Sequence, residues 1–514
     1  MSVARIDQSP QSTTAENKAA ATLAEAAQIW ATLKDSNDTD VLTLFKTRYS
    51  KTFYADLAEL RLNRIAARPP PPPPASATAP KVETPPPASA TASKVESPPT
   101  TIARLDARDS VSDRPVKVGI LHSLSGMMAI SEESLKDVML MLIDEQNKKG
   151  GVLGKRLEAD VVDPASNWPL FAEKARELIA KDKVSVVFGC WTSVSRKSVL
   201  PVFKELDSIL FYPVPYEGEE SERNVFYTGA TPNQQAIPAV DYLMSAEGGS
   251  VKRWVLEGTD YVYPRTTNKI LAAYLKARGV RDEDVMVNYT PFGFSDWQTE
   301  VSRIKAFGSA GKRTAVLSTI DGDANIAFYK ELAHKGIKAT DIPVVAFLVG
   351  EEELAGLDVK SLVGHLAAWN YFQTIDTPEN ESYIAKWRAF TKNPKRTFND
   401  PMEADVIGFQ MWVKAVEKAG SFEPDKVIDA MIGVSVPNLT GGVATMMPNH
   451  HITKPAFVGE IQPNGLIEAV WRSADNVAAQ EWSPYLEGSR DIHADWRKPV
   501  SCGRFNARTG KCGG

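Results

Sequence analysis

The chain has 514 residues, 43 % of them hydrophobic, and a formal net charge of −5. That length can hold two to four domains, and the near balance of charge, with no long basic block, excludes the concentrated cationic face that nucleic-acid binding requires. No run reaches the roughly 20 apolar residues needed to span a bilayer. Met1 to Gln11 also lacks the apolar core of about 7–15 residues of a secretory signal.

Residues 1–68 read as a short helical segment. Leu23, Ala26, Ile29, Trp30 and Leu33 fall at helical spacing, as do Leu42, Leu44, Phe45 and Tyr49 after the turn-forming run Asp35 to Asp40. Residues 69–112 form a Pro/Ala/Ser/Thr linker: Pro69 to Pro74 is unbroken proline, and the block from Pro72 to Thr84 returns almost unchanged from Pro85 to Ser97. Such a segment buries nothing and is expected to be a disordered, extended spacer.

Residues 113–490 carry apolar strand candidates at 116–121, 158–163, 184–189, 209–214 and 225–230. A second series follows at 253–258, 284–289, 314–319, 343–348 and 366–371, with helical stretches between all of them. Alternation of this kind predicts α/β architecture, with parallel sheets in two similar lobes. Gly150 is placed to cap a helix in the left-handed conformation. A helix over 401–419 and a hairpin from 456–461 and 467–472 complete the unit. The tail, 491–514, holds Cys502 and Cys512, for which a disulfide and two free thiols are both open readings. Cys190, beside an apolar strand, reads as a buried small hydrophobe.

Motifs for catalysis are missing: the chain has no Gly-x-Ser-x-Gly elbow, no His-Glu-x-x-His helix and no phosphate-binding Gly-x-x-x-x-Gly-Lys-Ser/Thr loop. The adjacent His450 and His451 would face opposite sides of a strand and suit no common metal. No enzyme activity, cofactor or metal is expected. The strand ends carry something else. Trp191, Thr192 and Ser193 follow one strand, Tyr212, Val214, Tyr216 and Glu217 another, and Asp260, Tyr261 and Tyr263 a third, while Ser125 lies in the first strand-to-helix turn. Ligands of open α/β sheets settle beyond the carboxyl ends of the strands. Aromatic walls with a few placed polar groups suit a small polar molecule.

Long motifs in this order identify a resemblance. They include Val116-Lys-Val-Gly-Ile-Leu-His-Ser-Leu-Ser-Gly126, Gly189-Cys-Trp-Thr-Ser193, Leu210-Phe-Tyr-Pro-Val-Pro-Tyr-Glu-Gly218, Gly258-Thr-Asp-Tyr-Val-Tyr-Pro264 and Asn399-Asp-Pro-Met-Glu-Ala404. Over about 114–487 the chain resembles the urea-binding proteins of urea ABC transporters, within the type I periplasmic binding proteins. Short-chain amide-binding transport proteins and amide-sensing amidase regulators are their relatives. Met127 stands where urea binders usually have a small hydroxyl residue. Pro215 replaces the usual Gln, as in the amide-sensing relatives.

The resemblance implies two Rossmann-like lobes joined by a three-strand hinge, with lobe one at about 113–236 and 366–440 and lobe two at about 237–365 and 441–490. Closure would bring Trp191, Thr192, Ser193, Tyr212, Val214, Glu217 and Ser125 against Asp260, Tyr261 and Tyr263. The implied ligand is urea or a short-chain amide, and the implied partners are ABC transporter permease subunits at a periplasmic location. With no signal in the sequence as it stands, a cytoplasmic amide-sensing regulator is the alternative.

Overall fold

The computed structural model describes residues 39–50, a few positions between 55 and 62, residues 114–487 and three two-residue strands beyond 491. The chain divides into two compact units, Met1–Ala103 and Arg104–Gly514. In the first, the helix Thr39–Arg48 buries Leu42 and Phe45, with Tyr49 buried just past its end, as their helical spacing predicts. The expected helical run from Leu23 to Leu33, the linker over 69–112 and Cys502, one of the two tail cysteines, lie outside the described residues.

The second unit contains both lobes. Lobe one is built on β1 (Val116–Leu121), β2 (Leu157–Val162), β3 (Val186–Gly189), β4 (Leu210–Tyr212) and β5 (Val225–Tyr227), in the order β2-β1-β3-β4-β5. All pair in parallel. Val118, Ile120, Leu121 and the whole of β3 are buried, as central strands covered on both faces must be. Lobe two repeats the pattern with β6 (Arg253–Thr259), β7 (Val285–Thr290), β8 (Thr314–Thr319), β9 (Val344–Ala346) and β10 (Leu366–Trp369). A small hairpin, β11 (Ser435–Pro437) with β12 (Val443–Thr445), follows. Then β13 (Phe457–Ile461) and β14 (Ile467–Arg472) extend the second sheet antiparallel, giving β14-β13-β10-β9-β8-β6-β7.

Each lobe therefore has its topological switch point between its first and third strands, β1/β3 and β6/β8. That is where a crevice opens beyond the strand ends. Glycine shapes the end of β3, and another glycine ends the helix Ala129–Lys148. A Cβ on Gly189 would stand 2.4 Å from the Leu121 carbonyl, so only glycine lets β3 finish beside β1. Gly150 takes the expected left-handed conformation, at φ +100°.

Sheet pairing moves two of the expected crossings between lobes. The 366–369 run, expected to open the second half of lobe one, pairs with β9 and β13 and belongs to the sheet of lobe two. His451, expected in lobe two, bridges to Tyr227 of β5. The chain thus crosses after Gln235, after Trp369 and between 451 and 457. One side chain stitches the three crossings together: the Asn370 amide donates to the Gln234 carbonyl at 2.9 Å and to the Pro455 carbonyl at 2.6 Å. Gln235 Nε2 donates to the carbonyls of Phe347 and Ala368. Lys454 is buried against Asp400 and the Thr228 carbonyl.

Candidate functional site

The two switch points face each other, and the cleft between them is shut. From lobe one, Cys190 turns the chain at φ +68°, and Thr192 then caps the helix Ser193–Glu205, its Oγ1 accepting from the Ser195 N–H at 3.1 Å. This holds Trp191 at the floor, where Tyr212 donates its hydroxyl proton to the Trp191 carbonyl. Ser193 Oγ donates to Glu217 Oε2 at 2.5 Å. Burial by itself would raise the thiol of Cys190, and it does, so the group is a neutral hydrophobe.

From lobe two, Tyr261 donates to Asp321 Oδ2 at 2.8 Å, and Thr259 Oγ1 accepts from the Asp321 N–H. Burial pushes the Asp321 carboxyl up to about 7, against the hydrogen-bonding pull of Tyr261 and of the Trp191 indole from the opposite lobe. Asp321 Oδ1 and the Tyr263 hydroxyl make no close hydrogen bond although both are buried. Unpaired buried polar atoms cost about 1–3 kcal/mol each, so these two are open to a further polar partner.

Closure is held by contacts at the rim. The rings of Trp168 and Phe292 lie 5.4 Å apart across the lobes, and Phe292 continues onto Tyr261 at 4.7 Å. A Cβ on Gly322 would approach the Met127 carbonyl to 2.8 Å. Met127 thus takes part in closure, where the resemblance has a small hydroxyl.

Arg196 forms the wall behind Glu217. Its guanidinium lies 4.5 Å from the Tyr212 ring and 4.4 Å from that of Tyr216. It is already committed, through Nε to Glu220 at 2.8 Å and through Nη2 to Glu217 at 3.4 Å. Burial would raise the Glu220 carboxyl, but the charges of Arg196 and Lys197 hold it well below the usual carboxylate range. This cation supports the wall and has little to offer a ligand.

Of the residues expected in the site, Trp191, Ser193, Tyr212, Val214, Glu217, Tyr261 and Tyr263 are buried around the shut switch points. Three have other employment. The Thr192 hydroxyl is spent on the helix cap. Asp260 is half-exposed and pairs with Arg265 Nε at 2.5 Å. Ser125 is exposed and donates to Asp163 Oδ2 at 2.7 Å, on the outer side of its turn. Asp321 is the residue that the sequence reading missed. It follows β8 as Trp191 follows β3, so the repeated strand order pointed to it. His450 and His451 lie by β5, where His451 stacks on Tyr227 with 4.4 Å between centroids.

Fold and cleft together define a two-lobed protein whose twin α/β sheets close on each other at their switch points. The profile of the periplasmic binding protein domain family matches residues 116–488, and the chain belongs to that family. It is 24 % identical over 355 residues to Leu/Ile/Val-binding protein homolog 6 of Brucella melitensis biotype 1, covering 67 % of this chain and 87 % of that protein. It is 27 % identical over 337 residues to the Leu/Ile/Val-binding protein BraC3 of Rhizobium johnstonii, covering 64 % and 86 %. Among solved structures, the solute binding protein of an ABC transporter from Rhodopseudomonas palustris HaA2, in complex with p-hydroxybenzoic acid, superposes with a TM-score of 0.64. The identity is 21 %, over 72 % of this chain and 99 % of that one. The leucine binding protein LivK of Thermotoga maritima gives 0.59 at 16 % identity, over 70 % and 98 %. The fold is that of the type I periplasmic binding proteins.

Proposed function

We propose that this chain is the substrate-binding component of an ABC transporter for urea or a short-chain amide, working outside the cytoplasmic membrane with permease subunits as partners. The observation that carries the ligand reading is the polarity of the cleft. Asp321 Oδ1 and the Tyr263 hydroxyl have no close hydrogen-bond partner among the described residues, Glu217 acts on Tyr263 from nearby, and the Arg196 guanidinium is committed to Glu220 and Glu217. A planar neutral molecule rich in N–H donors satisfies such groups. A benzoate-type carboxylate would bring an anion beside Glu217, where the Arg196 guanidinium is already paired with Glu217 and Glu220, which is costly.

A branched-chain amino acid is the second reading. It is favoured by the names of the relatives and by the N-terminus of the helix Ser193–Glu205, whose amides could take a carboxylate while Asp321 and Glu217 took the ammonium group. Thermal shift of the full-length protein separates the two. Urea, formamide and acetamide are expected to raise the melting temperature, with leucine and 4-hydroxybenzoate silent. A shift with leucine alone would replace the amide reading by the amino-acid one.

A further inference from the structure

The loop that carries Glu217 is gripped from outside the cleft. After β14 the chain does not leave the molecule; residues 477–485 run as a strap along the back of the hinge. The Val477 carbonyl accepts from Gln234 Nε2 at 2.8 Å, and Asn233 takes both the Ala478 carbonyl and the Gln480 N–H. Asn449 donates to Glu481 Oε2 at 2.6 Å. Tyr485 then packs edge-on against Tyr274, on the helix Val262–Ala277 of lobe two, at 4.9 Å.

Between these anchors the strap meets the site loop three times in succession. Gly218 sits at φ +68°, where a Cβ would lie 3.1 Å from the Glu481 carbonyl. The Glu219 N–H donates to that carbonyl at 2.6 Å, and Glu219 Oε1 accepts from the Ser483 N–H at 2.8 Å. Glu219 is itself in the left-handed region, at φ +60°, a conformation a glutamate holds only when its surroundings fix it. Glu217 and Glu220 flank this pinned pair, the first bonded to Ser193 and the second to Arg196.

We infer that the strap is a positioning element for ligand recognition: through Glu219 and Gly218 it fixes the backbone that aims Glu217 at the ligand. The inference rests on Glu217 facing the ligand, the reading given above. Full-length Glu219→Ala and Ser483→Pro each delete one strap bond from a different side, and Glu219→Gln keeps an acceptor oxygen.

Without ligand, hydrogen exchange of the amides over 214–220 is expected to speed up at least about tenfold in the first two variants and to stay near wild type in the third, with the β8 amides unchanged in all. With urea as the probe, both deletions are expected to weaken binding about tenfold. Adding Glu219→Ala to Glu217→Gln is expected to cost nothing more, because residues acting through one group are non-additive. Unaltered loop exchange overturns the inference whatever the protein binds, and so does an additive double variant. Altered exchange in a protein that binds no amide supports the strap's grip on the loop and overturns the ligand reading instead.

Discussion

Tyr263 separates a ligand-facing role from a packing role at the level of one atom. Its hydroxyl is buried without a partner, so Tyr263→Phe removes a desolvated group and leaves the ring in place. The melting temperature without ligand is expected to hold or rise, while urea affinity falls by about 1 kcal/mol; a loss of stability with unchanged affinity would make the tyrosine a core residue. Trp191→Ala is expected to weaken binding by ~1–3 kcal/mol in calorimetric titration with the fold retained. Aromatic and hydroxyl residues at strand ends were legible in the sequence because their type and position both point outward from a sheet. Asp321 was passed over, although the repeated strand order pointed to it, because Asp321-Gly-Asp323 also reads as an ordinary turn after a strand. Employment of a side chain is likewise invisible in sequence: nothing in the residue types says that Thr192 caps a helix or that Asp260 is taken by Arg265.

At the scale of elements, the apolar strands other than β5, which ends three residues before the expected 230, and the helix Asp400–Ala419 were read to within a residue or two, since their burial imposes a periodicity that the sequence must show. The hairpin of β11 and β12 was missed. Its strands are three residues each and enclose Pro437 and Gly441, which read as breakers. Assignment of β10 to a lobe failed for a different reason: the Leu366–Trp369 strand is equally apolar in either sheet, and only pairing with β9 and β13 decides. The hinge offers a test at this scale. Asn370→Ala would leave the carbonyls of Gln234 and Pro455 without their shared donor, an expected cost of about 2–4 kcal/mol in guanidinium unfolding. A change below about 0.5 kcal/mol, the size of a neutral surface substitution, would show that the three crossings hold without that stitch.

For the molecule as a whole, buried carboxyl groups set the response to pH. Burial pushes Glu257 and Glu351 up to about 8, and Glu353, Glu403 and Asp321 up to about 7. The folded protein therefore keeps protons that the unfolded chain releases near pH 4, so unfolding free energy falls as pH rises through the raised values. Melting temperature is expected to be lower at pH 8.5 than at pH 6.5, and a rise across that window would contradict the burial of these groups. The same closed, acceptor-rich cleft is the basis of the proposed function, and calorimetric titration of urea into the full-length protein tests it most directly. A ligand of four heavy atoms at about 1.5 kcal/mol per atom predicts saturable heat with a Kd of roughly tens of micromolar. Absence of heat with urea, formamide and acetamide, beside saturable binding of leucine or 4-hydroxybenzoate, would contradict it.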